Sequence, residues 1–204
     1  MPRRLVSLLL STALLGACAA TATTTPGTIR PTPDVVAPAS PDRSVVRAKL
    51  AARRATVVQR FLAYRDARVY PINSISPGFQ HVWVDGAGNL CAAATLISGD
   101  WGRDAAMKVG IPNVTIQLAN VTSGPVMDWI LTSGLTHHEI VAIQVPGFDM
   151  GEMPRESEVQ RLYTIYVDVE RQLSSLASVS LGEATDALLA RPDLARAFLA
   201  TREG

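Results

Sequence analysis

Apolar residues recur at helical spacing over residues 42–68, where Val46, Leu50, Val57, Phe61 and Tyr64 share one narrow stripe at about 100° per residue. Arg53 and Arg60 border the stripe on one flank and Arg47, Arg54 and Arg65 on the other. Ala48, Ala51, Ala52, Ala55 and Ala63 cover much of the back. The pattern predicts one long helix. Its stripe packs into a core, and its arginine stems cover apolar surface while their heads reach water.

Beyond it, short patterns alternate with strong punctuation. Pro71, Asn73, Ser74, Ser76, Pro77 and Gly78 mark an irregular loop. His81-Val82-Trp83-Val84 alternates like a short strand, and Asp85-Gly86-Ala87-Gly88-Asn89 is a turn signal. Residues 90–97 read either as the returning strand or as a strand start passing quickly into helix. A helix opening at Asp100 or Asp104 runs to about Val109, Pro112-Asn113 breaks it, and residues 114–118 alternate like a second strand. Gly124-Pro125 opens a helix through Trp129 to Thr132, with Gly134 past its end. Thr136 and Glu139 form a capping box ahead of Ile140, Val141 and Ile143.

From about Pro154 to Val179 the spacing of Val159, Leu162, Tyr166, Val169, Leu173 and Leu176 is the seam of a helix packed along another helix. Ser180 and Glu183 read as a further capping box, and Pro192 separates two short final helices. The expected fold is mainly α: a helical domain with long helices and a small β-hairpin near residues 80–95.

Ahead of the first helix the chain follows neither period. Arg3 and Arg4 precede an apolar run from Leu5 to Leu15, which ends in Gly16-Ala17-Cys18. These are the parts of a secretory signal, and the run falls short of the ~20 residues that span a membrane. Leu15-Gly16-Ala17-Cys18 closely resembles the lipobox of bacterial lipoproteins. The resemblance implies a signal peptide over residues 1–17, cleavage before Cys18, and acylation of the cysteine on its thiol and its new amine. It implies an envelope protein anchored by lipid. Ala19, where Asp would signal inner-membrane retention, favours the outer membrane, on its periplasmic or surface face. At about 0.8 kcal/mol per buried methylene, two or three acyl chains hold nearly permanently.

Residues 19–41 carry Pro26, Pro31, Pro33, Pro38 and Pro41 among Thr and Ala, with almost no large apolar side chains. They cannot bury enough surface to offset ordering entropy and are expected to form an extended tether. The expected organisation is a signal peptide (1–17), a lipidated cysteine with its tether (18–41) and one α-rich domain (42–204).

Charge adds a regional asymmetry. The chain as a whole is +1, yet residues 42–68 carry eight basic side chains against Asp42 and Asp66, while residues 149–204 carry ten acidic and six basic. The basic helix is expected to meet anionic headgroups or the acidic remainder of its own fold. The partners expected are the membrane, through acylated Cys18, and an envelope protein. Nucleic acid is not among them.

Of the two cysteines, Cys18 is the one expected to take lipid, and in that lipidated form Cys91 has no intrachain disulfide partner. His81, Asp85 and Cys91 form the compact cluster of reactive types. A hairpin brings His81 toward Cys91, and a helix starting near Cys91 adds its dipole; either can activate a thiol. His137, His138 and Asp149 are the alternative base and orienter, drawn from a distant segment. A thiol-dependent hydrolase or transferase using Cys91 therefore stands as the alternative to a non-catalytic binding or scaffolding module. The plainer reading is a small buried cysteine beside a turn-capping aspartate. His137 and His138 point apart on a helix and no second cluster completes four ligands, so no metal is expected, nor any cofactor. The 85–89 turn offers too few oxygens for calcium.

Tyr70-Pro71-x-Asn73, Val82-Trp83-Val84-Asp85-x-x-Gly88-x-x-Cys91-Ala92, Gly134-Leu135-Thr136-x-x-Glu139 and Ile143-Gln144-Val145-Pro146-Gly147-Phe148 resemble an uncharacterised group of exported bacterial proteins. Val145 interrupts the last of these elements. The resemblance covers residues 70–148 and implies that this stretch is the defining module, framed by the long helices. It implies no activity.

Overall fold

Asp42 opens the domain by capping its longest helix. Its carboxylate accepts from the backbone N–H groups of Ser44 and Val45, two of the donors that a helix start leaves free. The computed structural model describes residues 40–201; Cys18, the lipobox and nearly all of the tether lie outside them. The described residues form eight α-helices: α1 (Arg43–Ala67), α2 (Ala92–Trp101), α3 (Arg103–Gly110), α4 (Pro125–Thr132), α5 (His137–Gln144), α6 (Arg155–Ser175), α7 (Ala177–Leu189) and α8 (Pro192–Ala200). A 3₁₀ turn, Leu118–Asn120, precedes α4. The fold is mainly α.

α1 is the central element, and α2, α6, α7 and α8 all pack against it. Its N-terminal half places Val46 and Leu50 among Leu131, Leu188, Ala195 and Phe198. Its C-terminal half places Val57, Phe61 and Tyr64 in a larger cluster with Trp83, Leu96, Ile97, Ile140 and Tyr166. Between the two halves the buried line continues through Arg54, which is only 7% exposed. The sequence pattern puts Arg54 on a solvated flank; in the fold it lies on the core stripe itself.

What makes that burial tolerable is complete pairing. Arg54 Nη1 and Nη2 donate to Glu139 Oε2 and Oε1 at 2.8 and 2.7 Å, a bidentate pair, and Nη2 also reaches the Leu173 carbonyl at 2.8 Å. Glu139 is the third residue of α5, where its carboxylate closes the capping box with Thr136. Burial alone pushes the Glu139 carboxyl up, but Arg54, the Thr136 N–H and the Ser180 hydroxyl hold it below the usual value. Gly134 crosses α1 at the same level with φ 81°; a Cβ there would lie 2.3 Å from the Leu50 carbonyl oxygen.

Three expected elements are corrected. The hairpin near residues 80–95 contracts to one antiparallel bridge, Val84 with Leu90, because Cys91 already caps α2 and the Ala-rich segment continues as helix. Residues 114–118 are not a strand. Among the described residues no ladder reaches them beyond one backbone bond, from the Trp83 N–H to the Val114 carbonyl at 2.7 Å, and side chains of α5 hold the rest: Gln144 accepts from the Leu118 N–H and donates to the Ile116 carbonyl, and His137 Nε2 bonds the Leu118 carbonyl. The single helix expected over 154–179 breaks at Leu176 into α6 and α7. Arg54 takes the Leu173 carbonyl that an unbroken helix would give to Ala177. Ser180 consequently lies inside α7, buried toward Glu139, and caps nothing.

Removing one partner of the buried pair strands the other charge. Arg54→Met and Glu139→Met are each expected to cost about 3–5 kcal/mol in urea unfolding, and the Arg54→Met/Glu139→Met double variant clearly less than the sum of its singles. Additive losses in that cycle would mean the pair is not coupled.

Candidate functional site

Cys91 sits at the N-cap of α2, where its Sγ accepts from the Ala94 N–H at 3.4 Å. A helix start is a place where thiols become acidic, but burial opposes it. The side chain is 1% exposed among the core residues, and desolvation pushes the thiol up to about 12 despite the N–H groups of Ala94 and Ala93. Tyr64 and Tyr166 are close enough to interact electrostatically with it. Among the described residues no histidine or carboxylate hydrogen-bonds the thiol.

The two residues grouped with it are engaged elsewhere. Asp85 closes its own turn: its oxygens accept from the N–H groups of Ala87, Asn89 and Ile72 and from the Asn89 amide. His81 meets Gln144. The Gln144 amide is oriented by the Leu118 N–H on its oxygen, so its nitrogen donates to Ile116 O and to His81 Nε2 at 3.0 Å. His81 is therefore the tautomer with hydrogen on Nδ1, which is buried with no hydrogen-bond partner among the described residues. Burial pulls the imidazole down to about 4, an effect that the Gln144 main chain only partly offsets.

The distant set is likewise dispersed. His137 holds Leu118, His138 is exposed, and Asp149 accepts from the Gly151 and Met153 N–H groups while its own N–H donates to buried Glu158. Among the described residues no group of three or more His, Cys, Asp or Glu is placed to hold a metal ion.

The charged cluster that does line a cavity comes from residues outside these sets. A cleft of about 860 Å³ opens between α1, α2, α4 and α8. In its lining Asp100, near the end of α2, accepts from Arg60 Nη1 at 2.7 Å, from Arg53 Nη2 at 2.5 Å and from the Trp129 indole at 2.8 Å. Burial pushes the Asp100 carboxyl up, yet these three donors hold it below the usual carboxylate value. Arg60 lies flat on α2 because residue 99 is glycine; a Cβ there would come within 2.7 Å of the guanidinium carbon. Lys49 enters from α1 and donates to the terminal carbonyls of α8, with its charge over the Phe198 ring. The sequence already places Arg53 and Arg60 on one flank of α1; nothing in it pairs them with Asp100 and Trp129.

His81 supplies a pH signature. The folded ring refuses a proton that the unfolded chain takes up near pH 6.5, so its contribution is complete above that pH and is lost as pH falls from 6.5 toward 4. The loss is up to about 3 kcal/mol. Urea midpoints are expected to fall across that window and to flatten in His81→Asn, which keeps an acceptor for Gln144. Asp100 and Glu139, with lowered values, lose their contribution only as pH falls below their ordinary 3.8 and 4.5. For Cys91, a thiol-specific chromogenic disulfide should leave the native thiol unmodified at pH 8 over an hour and label it within minutes in urea. Rapid native labelling would contradict the buried, protonated thiol.

No protein-family model, no curated protein and no solved structure matches this chain, so no relative lends the cleft a role.

Proposed function

We propose that the protein is an envelope lipoprotein, held to the outer membrane through acylated Cys18, whose helical domain is a non-catalytic binding or scaffolding module. The observation that carries the anchoring is the lipobox-like Leu15-Gly16-Ala17-Cys18 behind a charged start and a short apolar run. No helix among the described residues is long and apolar enough to cross a membrane, so lipid is the attachment this reading relies on.

Two features of the domain fit that role. The segment that follows the expected tether is α1, the helix on which four others pack. A pull on the N-terminus would load the centre of the fold rather than a peripheral element. The basic side chains of α1 are also largely occupied within the fold: Arg43 pairs with Asp186, Arg53 and Arg60 with Asp100, Arg54 with Glu139, and Arg65 with Glu170. The acidic remainder of the chain thus takes up much of the charge that could have met headgroups. That leaves anchoring to the acyl chains.

Mass spectrometry of the mature protein from membranes is expected to find an N-terminal, acylated Cys18. Cys18→Ser should abolish the acyl mass and shift the protein out of the membrane-anchored mature form. A soluble mature product beginning at another residue would sink the anchoring.

A further inference from the structure

The cleft at Asp100 contains more positive charge and more N–H donors than its own acids use. One carboxylate is shared by two guanidiniums, and each guanidinium, with five N–H groups, spends one hydrogen bond on it. The side chains of Arg53 and Arg60 remain 23% and 31% exposed, whereas Asp100 is 17% exposed and already accepts three hydrogen bonds. Asp128, the other acid at the rim, is engaged by Arg191 at 3.2 Å. Lys49 adds a third positive charge, although its donors are directed to the α8 carbonyls. The unspent polar capacity is therefore cationic and donating.

Much of the rest of the lining is apolar, with Thr56, Thr132 and Thr201 among it. Trp129 is 4% exposed and Phe198 6%, and Trp101 and Leu194 complete the walls. Arg60 is preset by its seat on Gly99, and Arg53 by its bond to Asp100. Guanidiniums held in place lose little side-chain entropy when they bind, and their planar forks match a carboxylate or phosphate. A cleft of this volume suits a small molecule.

We infer that this cleft binds an organic anion, a carboxylate or phosphate group carried on an apolar body, with Arg53 and Arg60 as the anion's ligands and Asp100 as the residue that positions them. The inference names a ligand class for the binding module proposed above and rests on its being a binder. The anchoring claim stands or falls separately, on Cys18.

The test is calorimetric titration of the full chain, purified in non-ionic detergent at low ionic strength, with inorganic phosphate and with phenyl phosphate. Saturable binding of phenyl phosphate is expected, at least tenfold tighter than phosphate because the ring reaches the indole and phenyl walls. Arg53→Gln and Arg60→Gln should each weaken it at least tenfold, while Arg43→Gln, at the far end of α1, leaves it unchanged. Thr56→Trp provides a second arm: it fills the exposed rim of the cleft, keeps the Arg–Asp cluster, and should abolish binding with the urea midpoint retained. Micelles doped with an anionic phospholipid distinguish the ligand's source. Competition with phenyl phosphate that is lost in Arg53→Gln would assign the site to a lipid headgroup; no competition would assign it to a soluble anion. Absence of saturable phenyl phosphate binding, or binding unaffected by Arg53→Gln, Arg60→Gln and Thr56→Trp, would overturn the inference.

Discussion

Arg54 lies midway along α1, where the two apolar clusters meet, and a charge taken out of water there is tolerable only if oxygens surround it. Supplying those oxygens constrains much of the fold. Glu139 must stand at the start of α5, so the α4–α5 turn must cross α1 at Gly134, where a side chain would strike the Leu50 carbonyl. The Leu173 carbonyl must turn to the guanidinium, so α6 yields to α7 at Leu176. A hydrophobic replacement of matching volume could be as stable. What the ion pair adds is directionality: apolar side chains slide against one another, whereas a bidentate pair fixes how α1, α5 and α6 meet.

Most of the helices were legible in the sequence because they carry their own periodicity and their own ends, although the α2 segment reads as either strand or helix and α6 and α7 read as one. Asp42, Gly124-Pro125, the Thr136–Glu139 capping box and Pro192 all act where local chemistry places them. The failures share one physical origin. Val114 to Leu118 alternate like a strand, but a strand needs a partner, and Gln144 and His137 supply that hydrogen bonding from α5. Arg54 reads as a flanking residue because periodicity alone assigns arginine to water, whereas its burial depends on a glutamate 85 residues away. Ser180 and Glu183 have capping-box spacing, yet the start of α7 is set upstream, at Leu176. Pairings distant in sequence leave no periodic trace.

Cys91 illustrates how two correct local rules can oppose each other. A helix N-terminus stabilises a thiolate, and the sequence allows a helix to begin there; the structure does place Sγ at the α2 N-cap. The same chain surrounds it with alanines, Leu90 and Trp83, and burial outweighs the N-terminal N–H groups, leaving the thiol protonated. His81 meets a parallel fate, kept neutral by the core while it accepts from the Gln144 amide. Both residues hold the packing of residues 80–118 together. Their chemical type made them conspicuous, and their surroundings assign them a packing role.

The basic surplus of α1 behaves differently on two of its faces. At Arg54 each charge has a carboxylate to itself, and the pair is sealed from water. On the adjoining face of the helix, Arg53 and Arg60 converge on the single carboxylate of Asp100 in a cleft with partly aromatic walls. A shared carboxylate cannot neutralise two guanidiniums, so the remaining positive charge must be met by water, by counterions or by a ligand. Water and counterions suffice on a convex surface, where solvent is plentiful. In a concave site with low-polarity walls the field is focused and hydration is poorer, and an anion bringing its own apolar surface gains from both. The distinction between the two arginine faces is thus one of stoichiometry: matched charge at Arg54 builds the fold, and unmatched charge at Asp100 leaves the cleft with chemistry to offer.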